Sequence, residues 1–324
     1  MVGLAVFAVI LATAVVSRLL IGSSGVGWPT GEIGAHILTE RLRMLLFALC
    51  VGAALAASGV ALQALLRNAL AEPYILGLST GAGLGIAVQG YLLAQFAIVT
   101  GPNELGALVG AILTLAIVFF ASRRRGVIDR LGLLLTGVVL STINGSFILL
   151  LNHLTPPGTE RNNLMYWMMG VLPSRQMTPG DTAAIALTVL SVGLLLWKSR
   201  AIDVATLEDD EALSLGVHLP RLRLLLLLSA SALAAAAVVI AGPIAFVGLI
   251  CPHLARLVLG PSHRAVLIGS VLLGAALLVA ANVASELIAF TRPGTGILPV
   301  GIFTALVGGP VFLWMLRPQL GRGE

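Results

Sequence analysis

The sequence predicts an all-α integral membrane protein, and three observations predict it. Hydrophobic residues make up 58% of the 324-residue chain and charged residues only 10%, too few charges to clothe a soluble surface of that size. About ten apolar runs approach the length of roughly 20 residues that a bilayer demands of a helix. None alternates with the period of two expected of a barrel strand. Almost nothing is left over for a soluble domain, so residues 1–324 read as one transmembrane domain. A net charge of +5 in such a chain points to no nucleic-acid partner; where the charges sit matters more.

The first run, 2–21, lacks the basic flank and the clean cleavage site of a signal peptide, and so reads as a first spanning helix. Runs follow at 44–66, 75–98, 104–121, 131–151, 182–197 and 222–241, then a short one at 246–259, then 265–290 and 297–316. With both termini in the cytoplasm and one crossing per run, thirteen Lys and Arg fall inside and six outside, the bias that orients membrane proteins. Arg123, Arg124, Arg125 and Arg130 carry most of that margin. Cys50 and Cys251 lie in separate apolar runs, which argues against a disulfide framework and against a cysteine metal site. No resident metal or cofactor is expected.

Three connections exceed what a turn needs. The outer loop 22–40 is rich in Gly and Ser. The outer loop 152–181 carries an apolar, aromatic stretch at 162–169 that suits a short helix at the membrane interface. The inner loop 198–221 reads KSRAIDVATLEDDEALSLGVHLPR and holds five of the chain's fourteen acids. Thr206 and Asp209 have capping-box spacing, acids in a first helical turn favour the dipole, and Gly216 is a good stop, so 207–215 should form a short helix. Leu207, Leu213 and Leu215 give it apolar surface. A plain solvated loop is the alternative. An acidic, partly apolar helix on a basic inner face suits a soluble protein better than lipid.

VGAALAASGVALQALLRNALAEPYILGLSTGAGLG (51–85), MYWMMG (165–170), DDEALSLGV (209–217), GPIAFVGLICPHLARLVLG (242–260) and LPVGIFTALVGGPVFLWML (298–316) occur in order along nearly the whole chain. Together they resemble the permease subunits of ABC importers for cobalamin, haem and ferric siderophores. The resemblance implies a homodimer of ten-helix subunits in the bacterial inner membrane, embedded in lipid. Two cytoplasmic ATPase subunits and a periplasmic binding protein would complete it. It places coupling helices at 203–217, and hence ATPase contacts at Leu207, Glu208, Asp209, Asp210, Glu211, Ala212, Leu213, Leu215 and Gly216. It places a cytoplasmic gate at Asn68 and Leu70, where Ala69 stands in place of the family's proline, and a facing wall at 131–141. Thr136, Ser141, Thr142 and Asn144 near that wall suit pathway lining and close helix packing equally.

For binding-protein docking the resemblance points to Arg41. A second family arginine falls at Met44, beside Arg43, and a third at Glu286, a few residues before Arg292. The docking candidates are therefore Arg41, Arg43, Arg292 and Glu286, with an internal Glu286–Arg292 pair as the alternative for the last two. The same resemblance ends the seventh helix at Gly242-Pro243 and begins a short eighth with Cys251-Pro252-His253, near a helix start where proline is tolerated. Arg256 would lie near the inner surface, within snorkelling reach of water. His253, with no second ligand near in sequence, reads as a packed residue rather than a metal ligand.

The chain carries no GxxxxGK[ST] loop, so the expectation is a non-catalytic subunit moved by a separate ATPase. An ion-coupled secondary carrier would want ionisable residues at the bilayer midplane, and an intramembrane enzyme a nucleophile or metal cluster. Glu104 and Glu286 fall near helix ends, and the five histidines are scattered over loops and ends. The cargo expected is an iron chelate, haem or ferric siderophore, with cobalamin as the alternative.

Overall fold

The structure is a computed structural model and describes residues 2–96, 103–124, 127–155, 166–206, 209–292, 294 and 296–320. Among them run helices α1 (Val2–Leu20), α2 (Gly34–Leu66), α3 (Leu78–Phe96), α4 (Asn103–Ala121), α5 (Arg130–Leu154) and α6 (Pro179–Val204). There follow α7 (Asp209–Ser214), α8 (Leu219–Ala241), α9 (Val247–Leu259), α10 (His263–Thr291) and α11 (Val300–Leu320). Each apolar run of the sequence becomes a helix. Seven of them (α1, α2, α4, α5, α6, α8 and α10) are long and apolar enough to cross a membrane, whereas α9 has only 13 residues. Two small antiparallel hairpins turn the chain after α1 and α4: β1 (Ile21–Gly22) with β2 (Gly25–Val26), and β3 (Arg123–Arg124) with β4 (Val127–Ile128).

One local expectation changes, and two others fall in part outside the described residues. The outer loop is shorter than 22–40, because α2 already begins at Gly34 and carries Glu40 and Arg41 on its opening turns. The helix expected over 207–215 is described from Asp209 to Ser214; Leu207 and Glu208 lie outside the described residues. The hydroxyl of Thr206, the expected cap, donates to Asp203 O at 2.7 Å. The interfacial helix expected at 162–169 lies mostly outside the described residues, which resume with Tyr166 and Trp167 in helical conformation.

α2 is the spine of the bundle. Over 44–66 it is almost wholly buried, enclosed chiefly by α10, α8 and α9. Gly52 and Gly59 lie seven residues apart and so share a helix face. A Cβ at Gly52 would collide with the carbonyl of Gly274 on α10, and one at Gly59 with the carbonyl of Gly248 on α9. Backbone therefore rests on backbone at both crossings. Where lipid tails are as apolar as leucine, such close dispersion contact is what holds helices together.

α8 and α9 are consecutive helices separated by a short break at 242–246. Gly242 closes α8 at φ 69°, and Phe246 opens α9 at φ 70°. The expectation that Pro252 sits near the start of the short helix needs correction, since α9 begins five residues earlier and Pro252 lies inside it. Its missing N–H leaves the carbonyl of Gly248 without an i→i−4 partner. The side-chain amide of Gln63 on α2 donates to that carbonyl at 3.3 Å, which is how a proline is accommodated within α9.

Substitution of Gly59 by Ala should therefore lower thermal stability in detergent by about 3 kcal/mol or more, because backbone must move to admit the methyl. Gly193→Ala in α6, where nothing lies near the added Cβ, should be neutral or stabilising by up to about 1 kcal/mol. Melting temperatures of the two variants check the contrast.

Candidate functional site

At one end of the bundle the last turns of α2, α6 and α9 meet the starts of α8 and α10, with α7 beside them. The sequence places its expected coupling helix and gate turn here, and the structure joins them. Asp209, the first residue of α7, takes Nη2 of Arg67 on Oδ1 at 2.7 Å and Nη2 of Arg223 on Oδ2 at 2.6 Å. Arg67 follows α2 and Arg223 lies in α8, so one carboxylate fixes the short helix to both. Arg67 also donates Nε and Nη2 to the Ala205 carbonyl at 3.1 and 2.9 Å.

The rest of α7 follows its sequence. Gly216 at φ 79° closes the helix, its N–H bonding Leu213 O while that of Val217 bonds Ala212 O. Ala212 is buried, whereas Asp210, Glu211, Leu213 and Leu215 are exposed. Charge and apolar surface thus stand outward on one small, anchored helix.

The turn expected to form the gate leaves α2 through Arg67, whose φ of 49° is left-handed. Asn68 Oδ1 accepts the N–H of Leu70 at 2.9 Å, an Asx turn that shapes the loop without the proline replaced by Ala69. Asn68 and Ala69 are exposed and Leu70 partly so. Two residues on, the Glu72 carboxyl accepts the N–H of Phe246, and Pro73 seats against Gly248, so the turn is clamped to the start of α9. Burial pushes the Glu72 carboxyl up to about 7, against the opposing pull of that N–H.

Beside these groups lies a cleft of about 670 Å³ lined by Gln63, Arg67, Asp203, Arg256 and His263 among others. Arg256 donates to Gln63 Oε1 at 2.5 Å. Asp203 Oδ1 lies 2.7 Å from His263 Nδ1 and accepts the His263 N–H at 2.8 Å, tying the end of α6 to the start of α10. No group of three or more His, Cys, Asp or Glu comes together as a metal site among the described residues. Of the residues near the expected facing wall, Asn144 is buried and donates to Thr80 and Thr114 at 3.3 Å, so it joins α3, α4 and α5 by packing.

The residues expected to dock a binding protein lie at the opposite end. Arg41 is buried, and its guanidinium donates to the carbonyls of Leu19, Gly25 and Gly27 at 2.6–2.8 Å, holding the first hairpin in shape. Glu286 is buried too, paired with Arg18 at 3.2 Å rather than offered to a partner, and it accepts the Ser23 N–H at 2.6 Å. Arg18 donates further to Asn282 Oδ1, Ile21 O and Met44 Sδ. Two positions that break the family's arginine pattern, Met44 and Glu286, are thus partners of one internal arginine. Arg43 is half-buried and Arg292 is exposed at the end of α10. Arg175 bridges Glu104 and Asp181 at 2.6 and 2.5 Å, joining the starts of α4 and α6.

Sequence reasoning missed Arg18, Gln63, Glu72 and Arg223 as organising residues. Their only signal was polarity within or beside apolar runs.

The profile of the FecCD transport family matches residues 2–318. The chain is 39% identical over 281 residues to a cobalamin import system permease protein of Halobacterium salinarum, covering 87% of this chain and 73% of the relative. It is 36% identical over 319 residues to a hemin transport system permease protein of Yersinia pestis, covering 93% and 92%. A solved metal-chelate type ABC transporter in an inward-facing conformation superposes with a TM-score of 0.84 at 29% identity, covering 97% of this chain and 98% of that one.

Two outcomes follow from the geometry. Arg18→Met should destabilise by roughly 3–5 kcal/mol by stranding Glu286, and adding Glu286→Met should recover most of the loss in thermal melts. For Glu72, the folded value of about 7 lies above the ordinary 4.5, so the fold binds the extra proton. Its stabilising share is complete below the ordinary value and is lost as pH rises through about 7. Wild-type melting temperature should therefore fall between about pH 5 and pH 8 more steeply than that of Glu72→Gln.

Proposed function

The chain belongs to the FecCD transport family, and on that footing we propose that it is the transmembrane permease subunit of an ATP-driven importer of an iron chelate, haem or a ferric siderophore. The subunit crosses the bacterial inner membrane ten times with both termini in the cytoplasm, and works as a homodimer. Two cytoplasmic ATPase subunits supply the force, and a periplasmic binding protein delivers the cargo. The subunit itself is not catalytic, in keeping with the missing phosphate-binding loop.

The observation that carries this reading is the anchored presentation of α7. Its outward acids and leucines suit a protein groove, and its first residue is bonded to the residue that begins the gate turn. ATP-driven closure of the ATPase pair would press on α7 and tilt the helices around the two-fold axis. Asn68 and Leu70 then narrow or open the inner mouth. The exposed apolar face of α5, including Leu135, Val139 and Phe147, suits contact with lipid or the second subunit. On the outer face Arg43 and Arg292 remain the docking charges for the binding protein, since Arg41 and Glu286 are spent internally. A corrinoid is the second reading of the cargo, favoured by the 39% identical cobalamin permease.

Proteoliposomes holding the chain, its ATPase and its binding protein test the reading. Asp210→Lys with Leu213→Asp should cut ATP-dependent uptake at least about tenfold and weaken ATPase co-purification, while leaving the melting temperature unchanged. Uptake that persists without the ATPase but collapses with the proton gradient would overturn it. A haem Soret band against a corrinoid spectrum in the loaded binding protein decides the cargo.

A further inference from the structure

Two non-glycine residues among those described have positive φ, Arg67 and Phe246, and both are fastened to the same turn. That region crowds Cβ against the neighbouring carbonyl, so an L residue stays there only when its surroundings hold it. Each is held by a side chain at one end of residues 68–73. Arg67 is held by its own guanidinium on Ala205 O and on Asp209 of α7. Phe246 is held by Glu72, which accepts its N–H. On its far side Phe246 fills the space beside Gly308 of α11, where a Cβ would collide with it. Gln63 ties the same region again, its amide reaching Gly248 O at 3.3 Å and Ala71 O at 3.5 Å.

A strained joint alone is no device, and neither is a lone hydrogen bond. Here both strained joints bound one turn, and the holder of the first grips α7. We propose that Arg67 and Glu72 are positioning residues that keep the 68–73 turn as a strained clasp between α7 and the start of α9. The inference rests on reading 68–73 as the gate and α7 as the coupling helix. A displacement of α7 pulls Arg67 through Asp209. Glu72 keeps the other end of the turn fixed at Phe246, so the movement is delivered to Asn68 and Leu70 instead of dissipating into α9. Without Glu72, Phe246 relaxes out of its strained conformation, and the turn parts from α9.

Two measurements test the clasp. The first uses the purified chain alone, with spin labels at Ala69→Cys and Ala245→Cys; the native Cys50 and Cys251 are both buried. Glu72→Ala should lengthen and broaden the label distance, while Glu72→Gln, which keeps an acceptor, should restore it. The second uses proteoliposomes with the ATPase and the binding protein. There Glu72→Ala should raise ATP hydrolysis per transport event by about threefold or more, and Glu72→Gln should stay near wild type. If Glu72→Ala cannot be purified, Glu72→Ala with Phe246→Gly decides, because glycine adopts the left-handed conformation unaided and should keep the wild-type distance.

An unchanged distance in Glu72→Ala overturns the clasp, as does a Gln variant that behaves like Ala, or a long distance in the glycine double variant. A lengthened distance with unaltered coupling overturns its role at the gate. If the wild type shows no ATP-dependent uptake at all, the permease reading fails, while the label distances still decide whether the clasp exists.

Discussion

In a bilayer no water stands ready for a carbonyl that has lost its partner, and the end of this molecule beside α7 is arranged around one such carbonyl, that of Gly248. Pro252 frees it, Gln63 satisfies it, and Gly59 comes close enough for that reach only because it lacks a side chain. The remaining contacts of the region follow. The same Gln63 accepts from Arg256 and donates weakly to Ala71, so the 68–73 turn, the short helix and the spine share one amide. The break between α8 and α9 is therefore a fixed joint.

The two ends of the bundle use charge in opposite ways. At the end away from α7, Arg18, Arg41 and Glu286 are turned inward and spent on carbonyls, an amide and one another, which fastens α1 to α2 and α10. A buried pair of this kind adds little net stability but penalises any movement that separates its members. At the end that carries α7, ion pairs anchor this helix through its first residue and leave Asp210, Glu211, Leu213 and Leu215 exposed. One end is locked by buried charge while the other presents an exposed helix.

Much of this was legible in the sequence. Ten apolar runs gave ten helices, because hydrophobic length and backbone self-satisfaction leave a membrane segment no other regular choice. The acidic inner helix was legible from local rules, its stop at Gly216 above all. The bond from the Thr206 hydroxyl back to Asp203 O was not, because a hydroxyl beside a helix end has several backbone partners within reach. The internal partners of the charges at the other end were not legible either. An arginine near a helix end looks exposed in one dimension, and the carbonyls of a hairpin folding back over Arg41 have no linear signature.

Composition, helix spans, the motif order of the FecCD transport family and the acidic inner helix were determined by the sequence by itself, since each depends on neighbours along the chain or on the solvent around it. Only the tertiary structure decided that Glu286 meets Arg18, that Gln63 repairs the proline break, and that Glu72 holds Phe246. These partners lie more than 170 residues apart in every case. Which buried polar group meets which is fixed by the crossing of helices whose glycines let backbones touch, and that geometry exists only once the bundle has formed.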